Sequence, residues 1–235
     1  MTEEVDWGAR SQKGYLASGI DPADRRGLKN YYIDLLQKMA LEEVLELKGN
    51  EVVLDYGCGS GRIAYWIAPK VKKVFGLEGS PEMIRLAEKN RTTGNVEFLL
   101  YDGIHFPAFL NMFNIILSVG VLQYMEGETL KKTVLELTHS LKIDGMFCLI
   151  EQASDNIKIE RPRVEEYLQA FKESKLECLK YYPIRNGRSW FIYLIRYGII
   201  PRNMLPKIAR KEILCRRERK TISNYQDYLF VFRKQ

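Results

Sequence analysis

The sequence predicts an α/β chain: a mostly parallel, seven-stranded sheet with helices on both faces. Three observations predict it. Strand-like and helix-like patterns alternate over about 180 residues, which calls for crossover connections between parallel strands. Phe113–Ser118 is almost wholly apolar, as a strand covered on both faces should be. The chain has 235 residues, 46% of them hydrophobic, which suits one sizeable core better than two small ones.

The elements follow in order. Up to about Gly27 periodicity is weak. Asp21-Pro22 then reads as an N-cap with proline at the first helical position. The helix it would start places Ile33, Leu36, Ala40, Val44 and Leu47 on one face, and Gly49-Asn50 ends it. Glu51–Asp55 is a first strand, followed by a glycine loop and a helix stopped by Pro69. Lys72–Glu78 is the second strand, and Ser80-Pro81 opens a helix that ends near Asn90. Asn95–Leu100 and Phe113–Ser118 are the third and fourth strands. Leu130, Val134, Leu137 and Leu141 mark the next helix, and Gly145–Glu151 the fifth strand. Arg163–Lys175 is a helix, Leu176–Tyr182 a sixth strand and Asp227–Arg233 a last one. The organisation expected is a single domain over 1–235. Residues 1–48 form an N-terminal lid and helix, 51–182 a cofactor-binding core, 183–226 a basic helical insertion and 227–235 the final strand.

Composition narrows the function. No run reaches the ~18 apolar residues of a membrane helix, and Met1–Arg10 is polar and acidic, unlike a signal peptide. A cytoplasmic protein is expected. Cys58, Cys148, Cys178 and Cys215 are scattered and make no CxxC pair, and two histidines are too few for a metal cluster, so no metal is expected. The net charge is +6, but residues 185–220 hold eleven Lys/Arg against two Glu. That segment carries +9 and the remainder −3, so the basicity is a local patch.

The first strand runs into Asp55-Tyr56-Gly57-Cys58-Gly59-Ser60-Gly61. In open α/β sheets ligands bind beyond the carboxyl ends of the strands, and glycines there let backbone approach the ligand. Glu78, at the next strand end, can take two hydroxyls of a ribose. Counted from Gly57, the third glycine of a dinucleotide GxGxxG would fall at Arg62; it falls instead at Gly61. Asp55 is badly placed beside a pyrophosphate and well placed near a cationic ligand. S-adenosylmethionine, with an ammonium and a sulfonium and no phosphate, meets these conditions.

Val53–Gly61 resembles the first motif of the class I S-adenosylmethionine-dependent methyltransferases. Val74–Ser80 resembles their second, Val96–Gly103 their third and Phe113–Tyr124 their fourth, usually FDxVxSxxVLxH. The likeness spans about 100 residues, with all four motifs in order. It implies a Rossmann-like sheet whose last strand is antiparallel, and S-adenosylmethionine as cofactor with S-adenosylhomocysteine as product. It also implies cofactor contacts from Asp55, Gly57, Cys58, Gly59 and Gly61, and from Glu78, Gly79, Ser80 and Met83. Asp102 would accept from the adenine amino group, with Gly103 beside it and Ile104 packing either on the ring or in the core. Ser118, Val119 and Gly120 would meet the methionine portion. In relatives the N-terminal segment often folds over the cofactor, which makes Tyr15 and Lys29 candidates for its carboxylate.

Two departures matter. Asn114 replaces the usual aspartate of the fourth motif, and Gln123-Tyr124 stands where many relatives have histidine. The catalytic group therefore stays open, with Tyr124 and His105 as weak candidates. No NPPY-type motif and no paired catalytic cysteines occur, which counts against methylation of nucleic-acid bases. The leading expectation is methyl transfer to a small-molecule, glycan or lipid-linked acceptor, O-directed. The alternatives are an RNA methyltransferase using the 185–220 patch, a nucleotide-binding oxidoreductase, and a noncatalytic cofactor module. The patch itself reads as a helical lid, as a contact for an anionic membrane surface that would hold the protein there peripherally, or as an RNA-facing surface.

Overall fold

A computed structural model describes residues 5–156, 158–187, 189–217 and 225–235. Seven strands form one sheet: β1 Val52–Tyr56, β2 Lys73–Glu78, β3 Val96–Leu100, β4 Phe113–Val119, β5 Leu141–Ala153, β6 Leu176–Asn186 and β7 Gln226–Lys234. Their order is β3-β2-β1-β4-β5-β7-β6. The first five run parallel, and β7 slots between β5 and β6, antiparallel to both. This is the predicted sheet, with the last strand reversed.

Each central strand sends alternate side chains to opposite faces, so two separate cores form. On one face Val53, Ile115, Leu117, Cys148, Ile150, Leu229 and Val231 meet helices α2 (Leu28–Glu42), α3 (Arg62–Ile67), α7 (Trp190–Arg196) and α8 (Leu205–Arg217). On the other, Leu54, Ile116, Phe147, Leu149, Phe230 and Phe232 meet α5 (Gly127–Ser140) and α6 (Val164–Glu173). Helix α4 (Pro81–Lys89) begins as predicted, with Ser80 as N-cap accepting from Met83 N–H at 3.3 Å.

Four expectations change. The second helix starts at Leu28 and not after Asp21. Asp21 is occupied by Ala23 N–H and Lys29 Nζ, and Asp24 Oδ2 takes the Asn30 N–H of the helix's first turn at 2.8 Å. That helix ends at Glu42, before Val44 and Leu47; Val44 is buried from nonhelical backbone. The fifth strand begins at Leu141, four residues early, because its pairing with β4 jumps between Phe113 and Ile115. Asn114 sits in that irregular stretch, where its Oδ1 accepts from Val52 N–H (3.0 Å) and Lys142 Nζ (3.2 Å), so the residue that departs from the motif closes the start of β1. A short helix α1, Trp7–Ser11, has no counterpart among the predicted elements; Asp6 caps it by accepting from Ala9 N–H.

The basic segment is also more deeply built in than a lid. Ile192, Ile195, Leu205, Ala209 and Ile213 of α7 and α8 are buried in the core that α2 shares. Of its charges, Arg185 is buried in a two-pronged ion pair with Asp227 (2.8 and 3.0 Å). Residues 188 and 218–224, part of the expected insertion, lie outside the described residues.

Candidate cofactor site

The carboxyl ends of β1, β2, β3 and β4 open into a cavity of about 960 Å³. Its floor is the turn from β1 to α3. Gly57, Gly59 and Gly61 all have positive φ (67°, 54° and 80°). Gly57 is the tightest: a Cβ there would stand 2.3 Å from Val121 Cγ2. A side chain at this position would therefore push away the segment that follows β4. Ser60 holds the turn from below by donating to Tyr15 O at 2.6 Å.

Glu78 closes one side. Its Oε2 accepts from Gly59 N–H at 2.8 Å, and its Oε1 from Gly79 N–H (2.9 Å) and Ser80 N–H (3.0 Å). Three main-chain donors thus fix a carboxylate at the cavity wall in one orientation. Asp102 lies beyond it. Its Oδ1 accepts from Ile104 and His105 N–H, and its Oδ2 is 2.7 Å from His105 Nδ1. These hydrogen bonds, that to the His105 ring first, hold its carboxyl well below the usual range.

The opposite wall is the segment from Val119 to Tyr124. Glu151, at the end of β5, clamps it: Oε1 accepts from Ser118 Oγ (3.0 Å) and Val121 N–H (3.1 Å), and Oε2 from Gln123 N–H (3.1 Å). The roof comes from far away in sequence. Trp7 meets the Tyr124 ring edge-on at 5.8 Å, and the Arg161 guanidinium stands 5.4 Å from that ring while donating to Gln152 Oε1.

Of the predicted residues, Gly57, Cys58, Gly59, Glu78, Gly79, Ser80, Met83, Asp102, Gly103, Val119, Gly120 and Tyr124 line this cavity. Others do not. Gly61 is the N-cap of α3, tight against Phe98 and Tyr65. Ser118 faces Glu151, and Ile104 and His105 are exposed around Asp102. Tyr15 packs its ring on the core and offers only its carbonyl to the glycine turn. Lys29 is turned to Asp21 at 2.6 Å, an ion pair that opposes a role toward the cofactor carboxylate. The N-terminal residues on the wall are Val5 and Trp7 instead. Arg62, Tyr101, Gln123 and Arg161 also line it, and none of them is among the residues predicted from sequence. Arg62 shows in the sequence only as the residue where a dinucleotide glycine fails to appear; Arg161 leaves no signal there, since its contacts are made across the loop after β5.

Asp55 is buried beneath the turn and does not reach the wall. Its Oδ2 has no hydrogen-bond partner among the described residues. Burial pushes its pKa up to about 7, against the pull of Arg62 and of the Ala64 N–H. Burial also pushes Glu151 to about 7, despite its donors. A carboxyl group raised on folding binds more protons folded than unfolded, so its stabilising effect is full at low pH and fades as pH rises. The ordinary values are 3.8 and 4.5. The ligand-free protein should therefore lose up to about 1.4 kcal/mol per pH unit for each group between roughly pH 4.5 and 7. Asp21 and Asp102, held low, act below that window. Urea titrations across pH 5–8 check this, and Glu151→Gln should flatten the slope.

The cavity chemistry suits a cationic nucleoside. Four carboxylates (Glu78, Asp102, Glu126, Glu160) line it against two guanidiniums, Arg62 and Arg161. Arg62 is already paired with Asp34 at 3.1 Å. A diphosphate would meet excess negative charge, whereas an ammonium or sulfonium would be attracted. The fixed Glu78 carboxylate offers the acceptor that a ribose diol needs, and the open face of Gly59 admits close approach. The residues present thus fit S-adenosylmethionine.

Comparison with known proteins agrees. Residues 53–145 match a family described as "Methyltransferase domain". An uncharacterized RNA methyltransferase of Clostridium tetani is 42% identical over 96 residues, which is 40% of this chain and 21% of that protein. The chain spans only about an eighth to a fifth of the curated relatives it matches. Among solved structures, a putative methyltransferase of Bacillus halodurans superposes with a TM-score of 0.62 at 19% identity, over 85% of this chain and 98% of that one. Geranyl diphosphate methyltransferase in complex with SAM does so with a TM-score of 0.62 at 14% identity, over 92% and 93%. Residues 53–145 thus carry a methyltransferase domain, set in a seven-stranded sheet of the fold that these methyltransferase structures share.

Proposed function

We propose that this protein transfers the methyl group of S-adenosylmethionine to a small, polar, hydroxyl-bearing acceptor such as a sugar or a lipid-linked glycan. The carrying observation is a side chamber of about 100 Å³ that shares Val119, Gly120, Gln123 and Tyr124 with the cofactor cavity. Its walls are polar: Asp21, Lys29, Gln37, Glu151, Gln152 and the Arg185–Asp227 pair among them. Gln37 Oε1 is buried there with no partner among the described residues. An orphaned acceptor costs about 1–3 kcal/mol, which a hydroxyl donor would relieve. Acceptor oxygens in excess of free donors favour a donor-bearing substrate such as an alcohol over an anionic one.

The cofactor supplies an electrophilic methyl group. The chain's task is to bind, align and exclude water, and alignment alone is worth up to about 7–11 kcal/mol. Glu78 would hold the ribose, Asp102 the adenine edge, and the backbone of Gly57 to Gly59 the amino-acid end. Glu151 is a positioning residue: it holds the Val119–Tyr124 segment that separates donor from acceptor. Trp7, Tyr124 and Arg161 cover the junction. Tyr124 is the one polar group predicted from sequence that borders both spaces.

A second reading, RNA methylation, is favoured by the names of the partial relatives, which match this chain over 54 and 96 residues. Calorimetry with S-adenosylmethionine and NAD comes first: micromolar binding of the former and none of the latter is expected, and the reverse would end the proposal. Transfer of labelled methyl groups is then offered to pools of sugars and lipid-linked glycans and to total RNA. Label in the small acceptors supports the first reading; label in RNA alone replaces it with the second.

A further inference from the structure

Helix α7 has two unlike faces. Ile192 and Ile195 are buried, while Trp190, Tyr193 and Tyr197, spaced i, i+3, i+7, are 77%, 52% and 61% exposed. Such spacing puts the three rings in one stripe. Ile199 follows at 65% exposed. Isolated exposed apolar residues are ordinary, but a stripe of three large rings continued by isoleucine is a patch that calls for a partner.

Helix α8 lies in the same layer, since its buried residues enter the same core and it too packs on α2. Its outer face carries Lys207, Arg210 and Lys211, again at helical spacing, with Leu214 half-exposed beside them. The single carboxylate between residues 188 and 217 is Glu212. It is buried, accepts from Tyr32 OH and pairs with Arg216 at 4.0 Å, so it does not neutralise the outward lysines and arginine. No acidic partner faces Lys207, Arg210 or Lys211 among the described residues.

We infer that the outer faces of α7 and α8 dock the protein on an anionic phospholipid surface. Aromatic rings with polar edges favour the headgroup boundary, aliphatic side chains reach below it, and lysine and arginine meet the head groups. A nucleic-acid strand would use the rings and the cations, but not Ile199 and Leu214. The attachment is peripheral: no described helix is long and apolar enough to cross a membrane. Gly187, three residues before Trp190, lines the acceptor chamber. On the reading proposed above, docking would bring that chamber to a lipid-linked acceptor, while the docking itself does not depend on that reading.

The test is flotation of the full chain with vesicles of phosphatidylcholine, alone or mixed with phosphatidylglycerol, at low and high salt. Binding to the mixed vesicles only, weakened by salt, is expected. Two variants separate the contributions: Trp190→Ala/Tyr193→Ala/Tyr197→Ala and Lys207→Glu/Arg210→Glu/Lys211→Glu. Each should bind mixed vesicles at least about tenfold more weakly, with an unchanged thermal melt. The changes lie on outer faces, so the core is spared; deleting the segment would remove five core residues and tell nothing. Equal flotation on both vesicle types, or unaltered binding by folded variants, overturns the inference. So does tighter binding to a short RNA that both variants lose. If vesicle binding holds while S-adenosylmethionine fails to bind, the docking surface stands and the methyl-transfer reading falls.

Discussion

Glu78→Ala should weaken S-adenosylmethionine binding by at least about 100-fold, on the order of 3 kcal/mol, in a protein that still folds. Hydrogen bonds to a charged group are worth about 1.5–3 kcal/mol each, and a ribose diol would make two to this carboxylate. The side chain also ties Gly59 to Gly79 and Ser80, so its loss frees the glycine turn from the end of β2. Those three N–H groups face a cavity open to water, so the fold is spared and affinity is lost. Glu78→Gln keeps one acceptor oxygen but turns an amide NH₂ toward main-chain donors, and should fall in between. Calorimetry beside a thermal melt measures both effects; binding within threefold of the parent would remove Glu78 from the ribose.

Gly57→Ala should be nearly as damaging, by a different route. At φ 67° an L-residue is strained, and the new Cβ would stand 2.3 Å from Val121 Cγ2. Left-handed strain costs about 1–2 kcal/mol per residue, and the clash must be met by moving Val121. Val121 N–H donates to Glu151, so the whole wall from Ser118 to Gln123 would shift. Both the cofactor cavity and the acceptor chamber lose their shared boundary. The companion change Val121→Ala removes the clashing methyl groups but not the φ strain. The double variant should therefore recover most of the binding and only part of the stability. If Val121→Ala rescues nothing, the strained backbone and not the contact carries the damage.

Gly57 and Glu78 are legible in the amino-acid order because their roles are encoded locally. The spacing Gly57, Gly59, Gly61 after an apolar strand dictates a tight turn, and a carboxylate at the following strand end dictates what that turn can face. The sheet is legible for the same reason: apolar runs and crossover lengths leave few topologies. Where local signals compete, legibility fails. Asp21-Pro22 has the pattern of a helix start, yet Lys29 and Ala23 claim the aspartate and Asp24 serves the helix.

What the sequence by itself determined is the parallel sheet and the residues presented at its first two strand ends; the reversal of the last strand was implied only by the family resemblance. What only the tertiary structure decided is everything held by contacts distant in the chain: Trp7 against Tyr124, Arg161 above it, Glu151 clamping the wall, Lys29 drawn to Asp21, and α7 and α8 built into the core with their outer faces bare. The reason is physical. A turn or a strand is specified by the steric limits of neighbouring residues, whereas a side chain's partner across the fold depends on which surfaces the packed layers bring together.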